Sequence, residues 1–516
     1  MSDIFYFTEY LRTTIEQRGN EEEGVMLWLA EIYEAIDELR LEDIQQLVRG
    51  AKTFQLSAWG KAQIFLGRGD FHARQHDWTS AIAMYQHGLE CLKDCENIES
   101  DQAVLLNNLG LVYQEQARYE DAIFSYKHAV QLYDKVHDLI GKIHSISNLA
   151  SVYDARGEWE SAVQYYKMGI QELEVADDKT VLASFWNNLG VAYQNSGNQQ
   201  FAMEAFQKCV KILDDMGESL SEQGARVLMN LGEIYAERQQ SIQSIQCFQS
   251  AIHVCQEIGN TSLEVSVWNN LGAFYAKNDR IGDAMNCYET CLQLTRQTGD
   301  HATESLILNN LGSAFEDAHD NEKAFHAFMQ SLALAEENQE LYGIARAQNN
   351  LGVLHEKQHM MDQALSHYAE AIRALHEIGD YYREVTTITN IATLHAKIGN
   401  IDDSREWIKR GVSISTQRQF IDHLAFLAIL EGDIEFIHSE RFLEACKAYA
   451  RACTFACHPH AKSLSKIMDI TRKRANTLDI TNRKELGTYI LDSCGTMILN
   501  SSKDFHQMLV SLTKEQ

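Results

Sequence analysis

One pattern returns about every forty residues along this chain, and it restricts the fold more than any other feature. Taking the small residue of each copy as an anchor gives Gly69, Gly110, Ala150, Gly190, Gly232, Gly272, Gly312, Gly352, Ala392 and, less clearly, Asp433. Successive anchors lie 40 to 42 residues apart. A fixed period in this range specifies a solenoid, because a unit this short cannot bury its apolar face alone and does so against its neighbours. The usual expectation that 516 residues divide into several compact domains therefore does not apply.

Within each copy the positions keep their chemistry. Three residues after the anchor stands a ring: Tyr113, Tyr153, Tyr193, Tyr235, Tyr275 and Phe315, with His72, His355 and His395 in the same slot. Twelve after it comes alanine, at 81, 122, 162, 202, 284, 324 and 364, and four further on a second ring, Tyr126, Phe206 or Phe328 among them. Small residues let two helices approach closely and rings fill the space beside them. Gly157, Gly197 and Gly399 fall where a first helix must end, and Gly217, Gly259, Gly299 and Gly379 where a second must end. Glycine accepts the left-handed conformation of a helix C′ position without steric cost. Asn260, Asp300 and Asp380 follow as candidate N-caps.

This pattern resembles the tetratricopeptide repeat, in a version longer than its standard 34 residues. The resemblance covers roughly residues 60 to 455. It implies an all-α, right-handed superhelix of about ten helix-turn-helix repeats, with an N-terminal helical cap over 1–60, the solenoid over 61–456 and capping helices over 457–516. Long units with an Asn-Leu-Gly word are similar to those of Pins/LGN-type polarity adapters, kinesin light chain and bacterial Rap-type signalling-peptide receptors.

That word is Asn-Asn-Leu-Gly at 107–110, 187–190, 269–272, 309–312 and 349–352, with weaker copies at 148, 230 and 390. Asparagine is a poor helix former, so its recurrence at one helical phase gives up stability for another purpose. The resemblance implies that the residue two before each anchor points into the concave groove. These are Asn108, Asn148, Asn188, Asn230, Asn270, Asn310, Asn350 and Asn390, and in peptide-bound relatives the matching amides hold the ligand backbone. Side chains four before and seven after them add Arg226, Arg346, Lys277, Lys357 and Lys397, a basic set suited to an acidic side chain or a free carboxylate. The competing expectation is that the amides merely tie adjacent helices together.

The formal charge of −28 argues against nucleic acid and anionic membrane surfaces as partners. Residues 459–516 depart from this with nine Lys/Arg against six Asp/Glu, as expected for a cap docked on an acidic solenoid. The N-terminus lacks the features of a signal peptide, and no apolar run has membrane-spanning length. Eleven cysteines in a long helical chain do not form a disulfide framework and point to a reducing cytoplasm.

His355-Glu356-x-x-His359 matches the zinc-peptidase signature, which needs both imidazoles on one helix face. The repeat frame instead assigns His355 to the ring slot and His359 to the turn slot. Cys446, Cys453, Cys457, His458 and His460 have the residue types of a metal site at a spacing that matches no known zinc module, and read as small packing residues. No phosphate loop, nucleophile elbow or dinucleotide fingerprint is present. The expectation is a non-catalytic adapter without cofactor that binds an extended segment of a protein or peptide partner. The alternative is a peptide-responsive regulator whose solenoid changes conformation to control an effector.

Overall fold

In the computed structural model, residues 21–37, 56–176, 178–437, 441–458, 464–477 and 480–514 are described, together with Leu11, Thr14 and residues 46 and 47. Most of the predicted N-terminal cap, and Pro459 and His460, lie outside the described residues. The chain forms two compact units, Met1–Glu264 and Val265–Gln516.

In the first unit α1 (Glu21–Asp37) precedes hairpins of an A and a B helix each: α2 (Ala58–Arg74) with α3 (Trp78–Leu92), α4 (Glu99–Glu115) with α5 (Tyr119–Lys135), and α6 (Leu139–Ala155) with α7 (Trp159–Ala176). Then follow α8 (Lys179–Asn195) with α9 (Gln199–Met216), and α10 (Glu222–Glu237) with α11 (Ser241–Ile258). Helix α12 (Thr261–Lys277) carries the boundary. In the second unit α13 (Ile281–Thr298) leads to α14 (His301–Asp317) with α15 (Asn321–Glu337), and α16 (Leu341–Lys357) with α17 (Met361–Ile378). The repeats close with α18 (Tyr381–Lys397) paired with α19 (Ile401–Arg418), and α20 (Ile421–Ile437) paired with α21 (Phe442–Ala456). Helices α22 (Leu464–Thr477), α23 (Ile480–Ser501) and α24 (Lys503–Lys514) follow.

The anchor glycines set the distance between A and B helices. A Cβ built on Gly312 would lie 2.6 Å from the Phe328 ring, on Gly352 2.6 Å from Tyr368, and on Gly190 2.4 Å from Phe206. Each ring thus rests directly on the backbone of its own A helix. The tenth anchor is Gly432 rather than Asp433, since it is Gly432 that takes the ring of Tyr449 at 2.8 Å. An extra residue between α20 and α21 had displaced the apparent register. Where the twelfth position is serine instead of alanine, the hydroxyl uses the same closeness. Ser244 Oγ donates to the Gly232 carbonyl at 2.9 Å, and Ser404 Oγ to the Ala392 carbonyl at 2.7 Å.

The turns follow the sequence reading. Gly157, Gly197 and Gly399 adopt φ of 75°, 78° and 86°, and the four glycines after B helices are also left-handed. Asn260, Asp300 and Asp380 accept from the backbone N–H three residues on at 3.0, 3.0 and 3.1 Å. Helices α20 and α21 share one apolar core with α22 and α23, around Ile429, Tyr449, Ile467 and Ile490.

Candidate functional site

Successive A helices within a unit pack against one another, as α4 does on α6 and α14 on α16, which brings the asparagines of neighbouring repeats together. The doublets have a division of labour. In five pairs the ladder-phase asparagine of one repeat donates through Nδ2 to the first asparagine of the doublet one repeat before it. In the first unit Asn148 donates to Asn107 Oδ1 at 3.2 Å and Asn230 to Asn187 at 3.0 Å. In the second, Asn310 donates to Asn269 at 2.8 Å, Asn350 to Asn309 at 3.2 Å and Asn390 to Asn349 at 3.3 Å. Within the doublets, Asn187 and Asn349 donate onward to Asn188 and Asn350 at 3.3 and 3.4 Å.

The exceptions obey the same logic. Asn188 follows a repeat that has Ser147 where an acceptor asparagine would stand, and it accepts from Asn187 instead. Asn108 follows a repeat with no asparagine and donates to Asp70 Oδ1 at 3.0 Å. Asn270 belongs to the same row, on α12. A sequence signal for this pairing existed: every doublet is followed, one repeat later, by an asparagine at the ladder phase.

The predicted basic set divides. Lys357 pairs with Glu316 and Lys397 with Glu356, each at 2.6 Å and each across to the preceding A helix. Arg226 pairs with Glu222 on its own helix at 2.6 Å. Among the described residues Lys277 and Arg346 have no carboxylate partner. On the first unit the row seven after the asparagines carries Glu115 and Glu237, with Asn195 donating to Asp154 at 3.1 Å, so the lysines of that row stand on the second unit alone.

The zinc-peptidase motif comes apart in space. His355 is buried and stacks on His367 with ring centroids 5.0 Å apart, and desolvation there lowers its pKa. His359 lies beyond the end of α16 at φ 60°, so the imidazoles do not share a helix face. Glu356 accepts from Tyr368 Oη at 3.0 Å and from Lys397. The cysteine group is likewise apolar packing: Cys446 and Cys453 are buried, and burial pushes the Cys446 thiol up to about 12. Among the described residues no three His, Cys, Asp or Glu side chains converge to hold a metal, and no helix is long and apolar enough to cross a membrane.

The chain belongs to the tetratricopeptide repeat family, whose model matches residues 60–135, 101–171, 263–337 and 343–417, together just over half of its length. A second model, that of the soluble NSF attachment protein, matches residues 143–298. Similar solved structures include the apo form of the quorum sensor NprR from B. thuringiensis, 15% identical, covering 64% of this chain and 97% of that one with a TM-score of 0.47. A Rap protein complexed with competence and sporulation factor is 13% identical, with coverages of 66% and 99% and a TM-score of 0.39. BtubC from P. vanneervenii is 22% identical over 43% of this chain and 92% of its own, with a TM-score of 0.40. A search of curated proteins gives no match. The fold is that of a tetratricopeptide repeat array.

Proposed function

We propose that this protein is a non-catalytic adapter that clamps an extended segment of a protein partner along the asparagine-bearing face of its A helices. The observation that carries the reading is the asymmetry of the doublets. The first asparagine serves as acceptor to the next repeat. The second uses one amide N–H for that bond and keeps its other N–H and an acceptor lone pair. A donor and an acceptor held in fixed orientation match the N–H and C=O of one peptide unit, and a preorganised amide loses little freedom on binding.

The spacing also selects the ligand's conformation. Packed helices lie about 8–10 Å apart. A polyproline II segment presents the same face every three residues, about 9 Å, whereas a β-strand does so every two, about 7 Å. The ladder therefore suits a polyproline II-like ligand.

The test uses two kinds of alanine variant in a pull-down followed by anisotropy titration of the captured segment as a synthetic peptide. Asn310→Ala and Asn350→Ala should each weaken binding about tenfold, the loss of one to two hydrogen bonds. Asn269→Ala and Asn309→Ala break the same inter-repeat bonds but should weaken it less than threefold. Equal losses in both sets would make the ladder structural and sink the reading.

A further inference from the structure

Three positions that pack every other hairpin change together at the end of the array. The slot three after the anchor holds a ring from His72 to His395, and Glu435 in the tenth repeat. Four before the anchor stands a large side chain, Trp186 and Trp268 among them, but Ala428 in the tenth. Thirteen after it comes an apolar residue such as Ile123, Met285 or Phe325, except in the ninth repeat, which has Arg405. A buried ion pair contributes little stability compared with the apolar packing it replaces. The joint change therefore serves something other than the fold.

The three residues meet in space. Helices α19, α20 and α21 enclose a cavity of about 550 Å³ that Arg405, Ala428 and Glu435 line, with Ile408, Leu424 and Phe455 as apolar walls. At the corresponding place in the fourth repeat, where Trp186 and Tyr193 are present, the cavity is about 330 Å³. On α20 the lining positions 424, 428, 431 and 435 share one helical face. The ladder phase of this repeat, held by Leu430, falls on the other side, so the cavity is not part of the asparagine-bearing face.

Glu435 is 8% exposed, and its two oxygens differ. Oε1 accepts from Arg405 Nε at 3.1 Å and Nη2 at 2.9 Å. Oε2 is shut away from solvent and accepts no hydrogen bond, with Arg441 Nη1 3.8 Å away. A buried acceptor is normally satisfied, because leaving it without a donor is costly. The surrounding charge selects the missing donor. Glu431 pairs with Arg451 at 2.8 Å, so Lys409 and Arg441 oppose an added cation while Glu435 itself opposes an anion.

We propose that this cavity binds a small neutral molecule with a ring-sized apolar body and one O–H or N–H group, which donates to Glu435 Oε2. Arg405 holds the carboxylate in place, and the room left by Ala428 takes the ring. A volume of this size and a largely apolar lining with one convergent polar group are what small-molecule sites require. The inference stands apart from the peptide reading, since no residue of the ladder lines the cavity.

The test is a ligand-observed NMR titration of the full chain with 2-naphthol and indole, each beside its methylated counterpart, 2-methoxynaphthalene and 1-methylindole. The methyl group removes the donor and keeps the ring. The wild type should bind 2-naphthol at least about tenfold more tightly than its methyl ether, as expected for a bond to a buried carboxylate. Indole should show the same order against 1-methylindole. Ala428→Leu supplies the side chain that Leu308 supplies in the seventh repeat, and should melt no lower while losing both ring compounds. Arg405→Leu with Glu435→Tyr restores the packing of the other hairpins, should keep helicity and melting, and should show no preference for the donor-bearing member of either pair. Equal binding of the members of each pair by the wild type, or no binding of either, overturns the site. So does a donor preference that survives in the double variant, which decides the matter alone if Ala428→Leu fails to fold.

Discussion

Asp70 receives three hydrogen bonds: Tyr33 Oη at 2.7 Å, Tyr85 Oη at 2.6 Å and Asn108 Nδ2 at 3.0 Å. Burial raises its pKa despite these donors. A carboxyl whose folded pKa is raised stabilises the fold most below its unfolded value, and that contribution fades as pH rises through the folded value. Asp70→Asn should therefore lose less stability than the wild type between mildly acid and mildly alkaline pH, measured as the difference in melting temperature. A larger loss in the variant would reverse the sign. Asp70→Ala, which strands three donors, should cost on the order of 3 kcal/mol. The residue was not legible as a latch, because Tyr33 lies 37 positions away in the sequence. One clue was present: aspartate follows the anchor glycine only at Gly69 and Gly432. Asp433 repeats the arrangement at the other end of the array, accepting from Tyr449 at 2.7 Å and from Arg474 at 2.8 and 2.6 Å. Each terminal repeat thus uses a carboxylate to hold the helix that covers it.

Between the helices of a hairpin, closeness is set by what the anchor lacks. Ala392 stands opposite Ile408, and Ala150 takes the anchor place in a hairpin whose ring is Tyr166, so a methyl fits where the hairpin is built for it, whereas Gly312 has Phe328 pressed against its bare Cα. Gly312→Ala should consequently destabilise by about 1–3 kcal/mol, the cost of overpacking, and Gly312→Ala with Phe328→Leu should recover part of it. Chemical denaturation of both proteins checks this, and a neutral single variant would mean the ring moves aside freely. The A–B hairpins were legible in the sequence because ring, small residue and turn glycine each recur at a fixed phase. The pairing of amides between repeats was less so. Sequence placed the asparagines at one phase and carried a signal in the doublets followed by a further asparagine, but the bond itself depends on how closely neighbouring A helices approach, which no local pattern encodes. The basic set shows the same gap: Lys357 and Lys397 share the phase of the groove, yet glutamates of the preceding repeats already neutralise them.

At the scale of the whole chain, two electrostatic effects oppose each other. Ion pairs such as Arg226–Glu222 and Arg373–Glu370 are exposed and worth at most about 1 kcal/mol each. The net charge of −28 repels itself everywhere. Raising the salt from about 20 to about 300 mM shortens the screening length severalfold and should raise the melting temperature, because the repulsion outweighs the pairs. A fall would show that the pairs dominate. Repeat arrays add a second property, since each hairpin touches only its neighbours and stability is a sum of local terms. Phe328→Ala empties a fully buried position on α15 and should cost about 3–5 kcal/mol locally. In a compact domain that loss would lower protection throughout. Here hydrogen exchange should speed up in α14, α15 and α16 while α20 and α21 keep their wild-type rates, because no core residue near Phe328 reaches them. Uniform acceleration across the second unit would instead make it one cooperative block, in which a change at any one hairpin is felt by all of them.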